Sequence, residues 1–238
     1  MMPMLKTVIV PPAAGGMPSA TVFMLHGLGD TAYGWVDVAH ILGRNQALQH
    51  IRFVLPTAPM QPVTINMGMK MNSWFDIYSL NDLNRGEDEA GLLNGAQGLL
   101  RLVQEETDGS AEGLNGHKVP ADRIVLAGFS QGGAVALLSA LLSPLPIAGV
   151  GALSTWLPLQ EKIEQMRKRT GPFPVFQAHG TADSVVNIAL GRMTHELLSK
   201  QLGFGKLDEF HEYPGMAHSA CPEEIRDWGN WLSRVLPL

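Results

Sequence analysis

Seven short apolar runs recur along the chain: Thr7 to Val10, Thr21 to Leu25, Ile51 to Leu55, Ile124 to Ala127, Ile147 to Leu153, Val175 to Ala178 and Leu207 to Tyr213. Their length and their share of β-branched residues predict strands, the last an alternating one. Helix-period segments lie between the later runs. Glu87 to Glu106 starts acidic and carries Leu92, Leu93, Leu99, Leu100 and Val103 at helical spacing, with three glycines weakening the pattern. Gly132 to Leu142 is small and then apolar. Ala189 to Gln201 and Glu223 to Val235 are amphipathic, the second with Ile225, Trp228, Leu232 and Val235 on one face. Strand alternating with helix predicts an α/β fold: a mostly parallel central sheet, helices on both faces, and one domain over residues 1–238.

One turn in this pattern carries chemistry. Gly128-Phe129-Ser130-Gln131-Gly132 joins the run ending at Ala127 to the helical segment that follows. A strand, a tight turn with serine at its tip, then a helix is the context of a nucleophile elbow. Residues two before and two after such a serine approach neighbouring backbone too closely for a Cβ. Glycine stands at both places.

A serine nucleophile needs a base, and the base needs an orienting acid. On an elbow of this kind they follow in the order Ser, acid, His. Four histidines follow Ser130. His218 lies in the Pro/Gly turn after the last predicted strand, where a loop residue can face a site. His195 falls on a helical pattern and His211 within the alternating strand, and both read as solvent-facing. His179 ends the run Val175 to Ala178 and reads as a buried structural ring. Asp183, on the loop after that same run, is the predicted acid. Glu161 and Glu164 belong to a charged amphipathic segment, Gln160 to Arg169, while Asp208 and Glu209 sit inside a strand. The developing oxyanion needs two backbone donors. The N–H of Gln131, directly after the serine, is one. The loop His26-Gly27-Leu28-Gly29-Asp30 follows an early strand, and the Leu28 N–H is the other. Gly27 and Gly29 let that backbone turn inward.

Together these motifs resemble the acyl-protein thioesterase/lysophospholipase family, which also includes small carboxylesterases. The resemblance rests on His26-Gly27-Leu28-Gly29-Asp30-Thr31, Ser73-Trp74-Phe75-Asp76, Gly128 to Ala134, His179-Gly180-x-x-Asp183 and Gly215-x-x-His218. It runs from about Thr21 to the end of the chain. It implies a compact α/β-hydrolase that cleaves acyl thioesters on protein cysteines, lysophospholipids and simple esters. It also implies Ser130, Asp183 and His218 as the triad and Leu28 and Gln131 as oxyanion donors, in agreement with the reading of the residues. Two departures stand out. Ser184 occupies a position where the family usually has proline, which predicts a less rigid acid loop. The stretch Thr107 to His117 is long and polar, a predicted surface loop ahead of the nucleophile strand.

The stretch from Pro59 to Leu83 shows little strand or helix period. It holds Met60, Met67, Met69 and Met71, then Trp74 and Phe75. Two readings stand. One is a packed surface loop whose methionines fill irregular gaps. The other is the wall of an acyl groove, with Met67, Met69, Met71, Trp74 and Phe75 against a hydrocarbon chain. Asp76 is assigned a structural hydrogen-bonding role.

Composition narrows the function classes. The 238 residues, 45% apolar, suffice for a sizeable core. A net charge of −5, with no basic cluster longer than Arg167-Lys168-Arg169, argues against a nucleic-acid partner. A single cysteine, Cys221, excludes an internal disulfide and predicts a reducing compartment, the cytoplasm and with it the nucleus. Met1 to Pro12 lacks the pattern of a signal peptide, no run is long enough to span a bilayer, and no N-terminal lipidation motif occurs. Membrane contact is therefore expected to be peripheral at most. No metal-ligand spacing or P-loop occurs, so neither a metal nor a cofactor is expected. Nothing specifies an oligomeric state. The expected activity is that of a serine hydrolase on acylated proteins or lipid esters, foremost protein S-depalmitoylation with lysophospholipase-like activity. A carboxylesterase for short soluble esters is the alternative. A non-catalytic binding protein on the same fold is a remote one, since it would have lost a catalytic residue.

Overall fold

The computed structural model describes residues 5–79, 86–169 and 171–238. The strands are β1 (Lys6–Val10), β2 (Ala20–Leu25), β3 (Ile51–Thr57), β4 (Met60–Val63), β5 (Met69–Asn72), β6 (Ile124–Phe129), β7 (Gly149–Leu153), β8 (Val175–Gly180) and β9 (Asp208–Tyr213). The α-helices are α1 (Val36–Gly43), α2 (Glu89–Asp108), α3 (Gln131–Leu142), α4 (Gln160–Met166), α5 (Ile188–Glu196) and α6 (Pro222–Val235). One sheet runs in the order β1-β3-β2-β6-β7-β8-β9. Only β1 is antiparallel to its neighbour; every other pair is parallel. This is the mostly parallel α/β sheet that the alternation of runs predicts, in the α/β-hydrolase architecture that the resemblance implies, and each of the seven runs is a strand of the sheet.

The interior strands are apolar throughout because both faces are covered. Successive side chains feed opposite faces. In β2, Phe23 and Leu25 join the core beneath α2 and α3, while Val22 and Met24 join the core beneath α1 and α6. In β6, Ile124 and Leu126 go to the first core, and Val125 and Ala127 to the second. Helix α3 is buried from Gln131 to Leu141, so it has no polar face. Helix α2 starts two residues later than its pattern suggests, because the Asp88 side chain caps it by accepting from the Gly91 N–H. Gly95, one of its three glycines, lets it lie against Trp74 and Val135.

Three elements depart from expectation. Helix α1 is short and was not signalled by the pattern. The Met-rich stretch is not irregular: β4 and β5 form an antiparallel hairpin, whose period is hidden because each strand has only four residues and β4 carries a proline. Residues 80–83 of that stretch lie outside the described residues. His195 is not simply solvated. Its Nδ1 lies 2.8 Å from Oδ2 of buried Asp208, which Gln177 Nε2 also holds, and burial pushes the Asp208 carboxyl up to about 6. His211 is partly covered, its ring against Phe176. Among the described residues no helix is long and apolar enough to cross a membrane.

Glu224, in the first turn of α6, is fully buried, and neither carboxylate oxygen has a hydrogen-bond partner. Burial pushes this carboxyl from 4.5 up to about 8. The folded chain therefore holds a proton that the unfolded chain releases above its ordinary carboxylate range. The group's contribution falls as pH rises from about 4.5 to about 8. Glu224→Gln mimics the neutral acid and removes this slope. The expected outcome is a gain in stability over the unmodified protein at about pH 9, on the order of a few kcal/mol, that shrinks toward zero at about pH 5. Thermal melts of both proteins across that range test it, and equal gains at both ends would count against it.

Candidate active site

The register of parallel strands gathers the predicted residues at one end of the sheet. Ser130 follows β6, Asp183 follows β8 and His218 follows β9, all at carboxyl ends, where sites form in open α/β sheets. Ser130 has φ 53° and ψ −121°, a conformation that costs a non-glycine residue on the order of 1–3 kcal/mol. The surroundings hold it there. The Ser130 N–H donates to Leu153 O at 2.8 Å, extending the β6–β7 pairing into the turn. The Ser130 carbonyl accepts from Thr155 Oγ1 at 2.6 Å and from the Ala134 N–H at 3.1 Å. A Cβ on Gly128 would stand 2.3 Å from Gly132 C, and one on Gly132 would stand 2.5 Å from Leu25 O. Both glycines are therefore needed for the approach that the pattern predicts.

His218 donates from Nδ1 to Asp183 Oδ2 at 2.7 Å. The carboxylate is fully fixed: its Oδ1 accepts from the N–H groups of Val185 and Val186, both at 2.9 Å. These bonds hold the acid loop in spite of Ser184. His179 is buried, as expected. Its Nε2 bonds Val186 O at 2.8 Å and lies 3.4 Å from Asp183 Oδ2, so it braces the same loop. Burial lowers the His179 pKa, which favours its neutral form. The His218 ring packs on Phe129, next to the serine, with centroids 4.6 Å apart. Among the described residues no hydrogen bond yet joins Ser130 Oγ to the ring; in ligand-free sites such contacts commonly tighten only around substrate.

The loop after β2 lies against the serine. A Cβ on Gly27 would stand 3.5 Å from Ser130 Cβ. Gly29 donates to Asn72 O and Asn72 Nδ2 donates to Asp30 O, both at 2.9 Å, so the hairpin is stitched to this loop. The N–H groups of Leu28 and Gln131 meet no acceptor among the described residues. Gln131 is also the first residue of α3, where the helix dipole favours negative charge. The arrangement offers a hydroxyl on a strained turn, an imidazole aligned by a carboxylate, and two free N–H donors beside the hydroxyl.

A model of the phospholipase/carboxylesterase family matches residues 7–236. The chain belongs to that family. Two relatives carry the name acyl-protein thioesterase 1. The one from Mycosarcoma maydis is 54% identical, over 99% of this chain and 99% of its own. The one from Neurospora crassa is 43% identical, over 92% of this chain and 88% of its own. Among solved structures, Arabidopsis thaliana SOBER1 superposes with TM-score 0.80 at 30% identity, covering 91% of this chain and 99% of that one. Zea mays acyl-protein thioesterase 2 superposes with TM-score 0.80 at 27% identity, covering 97% and 99%. The family is one of hydrolases of thioesterase and esterase type.

In this family member the five residues expected to line a groove divide. Trp74 is fully buried under the site and presents no wall. Its flat, large ring is core, with the indole N–H donating to His26 O and the backbone N–H to Gln131 Oε1. Met67 is 90% exposed and Met69 55% exposed, because the hairpin turn carries them away from the body. Met71 packs beside Gly29 and accepts from Asn66 Nδ2. Phe75 lines a cavity of about 670 Å³, together with Ile77, Trp156, Leu157, Leu190 and Met193. Asp76 has the structural role expected of it, accepting from the Thr64 N–H and hydroxyl. The sequence reading missed Thr155 and Trp156, which follow β7 in a stretch with no recognisable motif.

Thr155 is the missed residue closest to the nucleophile. Thr155→Val keeps its shape and deletes one of the two donors to the Ser130 carbonyl. A neutral buried hydrogen bond of this kind contributes about 1 kcal/mol, so the urea midpoint is expected to fall by the equivalent amount. An unchanged midpoint would mean that the elbow is held without it.

Proposed function

We propose that this protein is a serine hydrolase of acyl thioesters and esters, acting foremost as an acyl-protein thioesterase on S-acylated proteins, with Ser130, His218 and Asp183 as its catalytic triad. The observation that carries the reading is the 2.7 Å His218–Asp183 pair set beside a serine held at positive φ. Ser130 Oγ attacks the acyl carbonyl while His218 Nε2 takes its proton. Asp183 holds the tautomer with the proton on Nδ1 and stabilises the imidazolium that results. The Leu28 and Gln131 N–H groups receive the charge that develops on the carbonyl oxygen. The C–S or C–O bond then breaks, and His218 gives its proton to the departing thiol or alcohol. Water, activated by His218, hydrolyses the acyl-enzyme and restores Ser130.

The substrate reading draws on two supports. The relatives named above are called acyl-protein thioesterases. The side of the cavity lined by Phe75 and Trp156 offers apolar surface that an acetyl group could not use, while its other side carries charged groups that include Glu87, Glu89, Glu161 and Lys162. Trp156 directly follows Thr155, whose hydroxyl donates to the Ser130 carbonyl, so one wall of the cavity is a single residue from a contact of the nucleophile, although Ser130, Asp183 and His218 do not themselves line it. We assign at most a peripheral contact with membranes. Met60, Ile65, Met67 and Met69 stand exposed on the hairpin and suit such a contact.

A fluorophosphonate probe is expected to label Ser130, and Ser130→Ala to abolish labelling and turnover with the melting temperature retained. Asp183→Asn keeps the geometry but favours the wrong tautomer, with an expected loss in kcat on the order of ten-thousandfold. Labelling that survived Ser130→Ala would overturn the mechanism.

Each buried acyl methylene can contribute up to about 0.8 kcal/mol. At a fixed leaving group and below any micellar concentration, kcat/KM is expected to rise more than about tenfold from acetyl to medium and long chains. Met193→Ser, in the cavity wall, is expected to flatten that rise more than Met67→Ser at the exposed hairpin tip. A flat or falling profile in the unmodified protein would favour the short-ester carboxylesterase reading.

A further inference from the structure

The two oxyanion donors come from segments far apart in the chain, the loop after β2 and the start of α3, and no hydrogen bond runs directly between them. The β2–β6 pairing sets Leu25 opposite Gly128, and past that point something must still fix the loop relative to the helix start. We propose that Trp74, supported by Ser73, is the positioning residue that sets the Leu28 and Gln131 N–H groups relative to one another. The proposal rests on the assignment of those donors made above.

Trp74 holds both arms at once. Its backbone N–H donates to Gln131 Oε1 at 2.9 Å. Its indole Nε1–H donates to His26 O at 2.9 Å. The Gln131 amide is closed on the other side, with Nε2 donating to Ser73 Oγ at 2.9 Å and to Phe75 O at 2.6 Å. The Gln131 side chain therefore locks the residue whose N–H follows the nucleophile. On the second arm, the His26 ring lies against the indole, with centroids 5.3 Å apart. Its Nε2 accepts from the Ala58 N–H at 3.0 Å, so the ring proton is on Nδ1, which donates to Gly27 O at 2.6 Å. The chain of contacts reaches Gly27, immediately before Leu28. Ser73, Trp74, Gln131 and His26 are all fully buried, so water offers none of these groups an alternative partner. Helix α2 backs the brace, with Gly95 close to Trp74 O.

The physical consequence is preorganisation. Donors already fixed at the developing charge need no rearrangement during the reaction. A tryptophan that merely filled space would need neither nitrogen bonded across to both arms. The strands that carry the arms pair directly as far as Leu25 and Gly128, and Gly132 packs against His26 O; beyond that pairing Trp74 bonds both segments, so loss of the indole N–H frees the His26 carbonyl and lets the loop drift from its partner donor.

Trp74→Phe keeps an aromatic ring in the core and removes only that donor and part of the volume. With a p-nitrophenyl acyl ester, kcat is expected to fall about tenfold to a hundredfold while KM stays within about twofold. Affinity for a trifluoromethyl ketone of matching chain length, whose serine adduct bears the oxyanion, is expected to fall by a similar factor. A purely structural role would lower the melting temperature and spare both. If Trp74→Phe does not fold, Ser73→Ala is read in the same way, since it removes the oxygen that anchors the Gln131 amide. A folded variant with kcat within about threefold of the unmodified protein, or one that loses only in KM, overturns the brace. Ser130→Ala run alongside separates the two claims. Turnover surviving that change defeats the proposed mechanism, whereas its loss together with a fully active Trp74→Phe defeats the brace alone.

Discussion

The backbone of Ser130 is the constraint on which the site is built. A side-chain-bearing residue at φ 53° is held there only if its neighbours leave no cheaper conformation. The β6–β7 ladder captures its N–H, and Thr155 and the first turn of α3 capture its carbonyl. Once the turn is fixed, α3 must begin at the very next residue and run directly beneath the sheet. This explains why α3 lacks a polar face and why its first residues are so small. Two further features follow from the same geometry. The N-terminus of α3 abuts the carboxyl end of β2, and its Gln131 N–H meets no acceptor among the described residues.

The parallel register carries that local constraint to the rest of the molecule. β6, β8 and β9 all point the same way, so whatever follows them arrives at the same edge. The acid loop and the histidine loop are then tied together. Thr181 N–H donates to Tyr213 O, Ala182 N–H to Met216 O, and Gly215 N–H to Thr181 Oγ1. The charged cluster of Arg52, Glu106 and Thr21 sits at the opposite ends of β2 and β3, buried and away from the chemistry. It belongs to the fold, not to the site.

The sheet and the three residues gathered at its edge were legible because each rests on a local rule. Buried strands are continuous apolar runs, elbows need glycine at two fixed places, and loop residues after strands face the site. What was not legible rests on relations across the chain. Trp74 and Phe75 are adjacent aromatics in one motif, yet one is sealed in the core and the other opens into a cavity. Nothing in their spacing distinguishes them, because the distinction is made by Gln131 and His26, both distant in sequence. The methionines divide for a related reason. Their sequence allows either a gap-filling loop or a binding wall, and the hairpin that bears them projects Met67 and Met69 outward. Thr155 left no trace because a lone threonine after a strand has no pattern at all.

Three buried carboxylates show why Asp183, and neither of the others, suits the role proposed for the acid of this site. Asp208 is shared between Gln177 and His195 at the start of β9, the wrong end of the sheet, and burial outweighs these partners to hold its carboxyl up at about 6. Glu224 follows His218 closely in sequence, but it faces the core with neither oxygen bonded, and its carboxyl is pushed up to about 8. A group in that state is neutral at ordinary pH and could not stabilise an imidazolium. Asp183 is just as inaccessible, with its side chain fully buried, yet it is surrounded by N–H donors: two from the backbone of its own loop and one from the catalytic ring. Burial without donors keeps Glu224 a neutral acid, whereas three donors fix the Asp183 carboxyl in place. The difference lies in the loop that follows β8, which turns its N–H groups of residues 185 and 186 back onto the carboxylate. Chain order points to Asp183, and it is this turn that fits it for the proposed role.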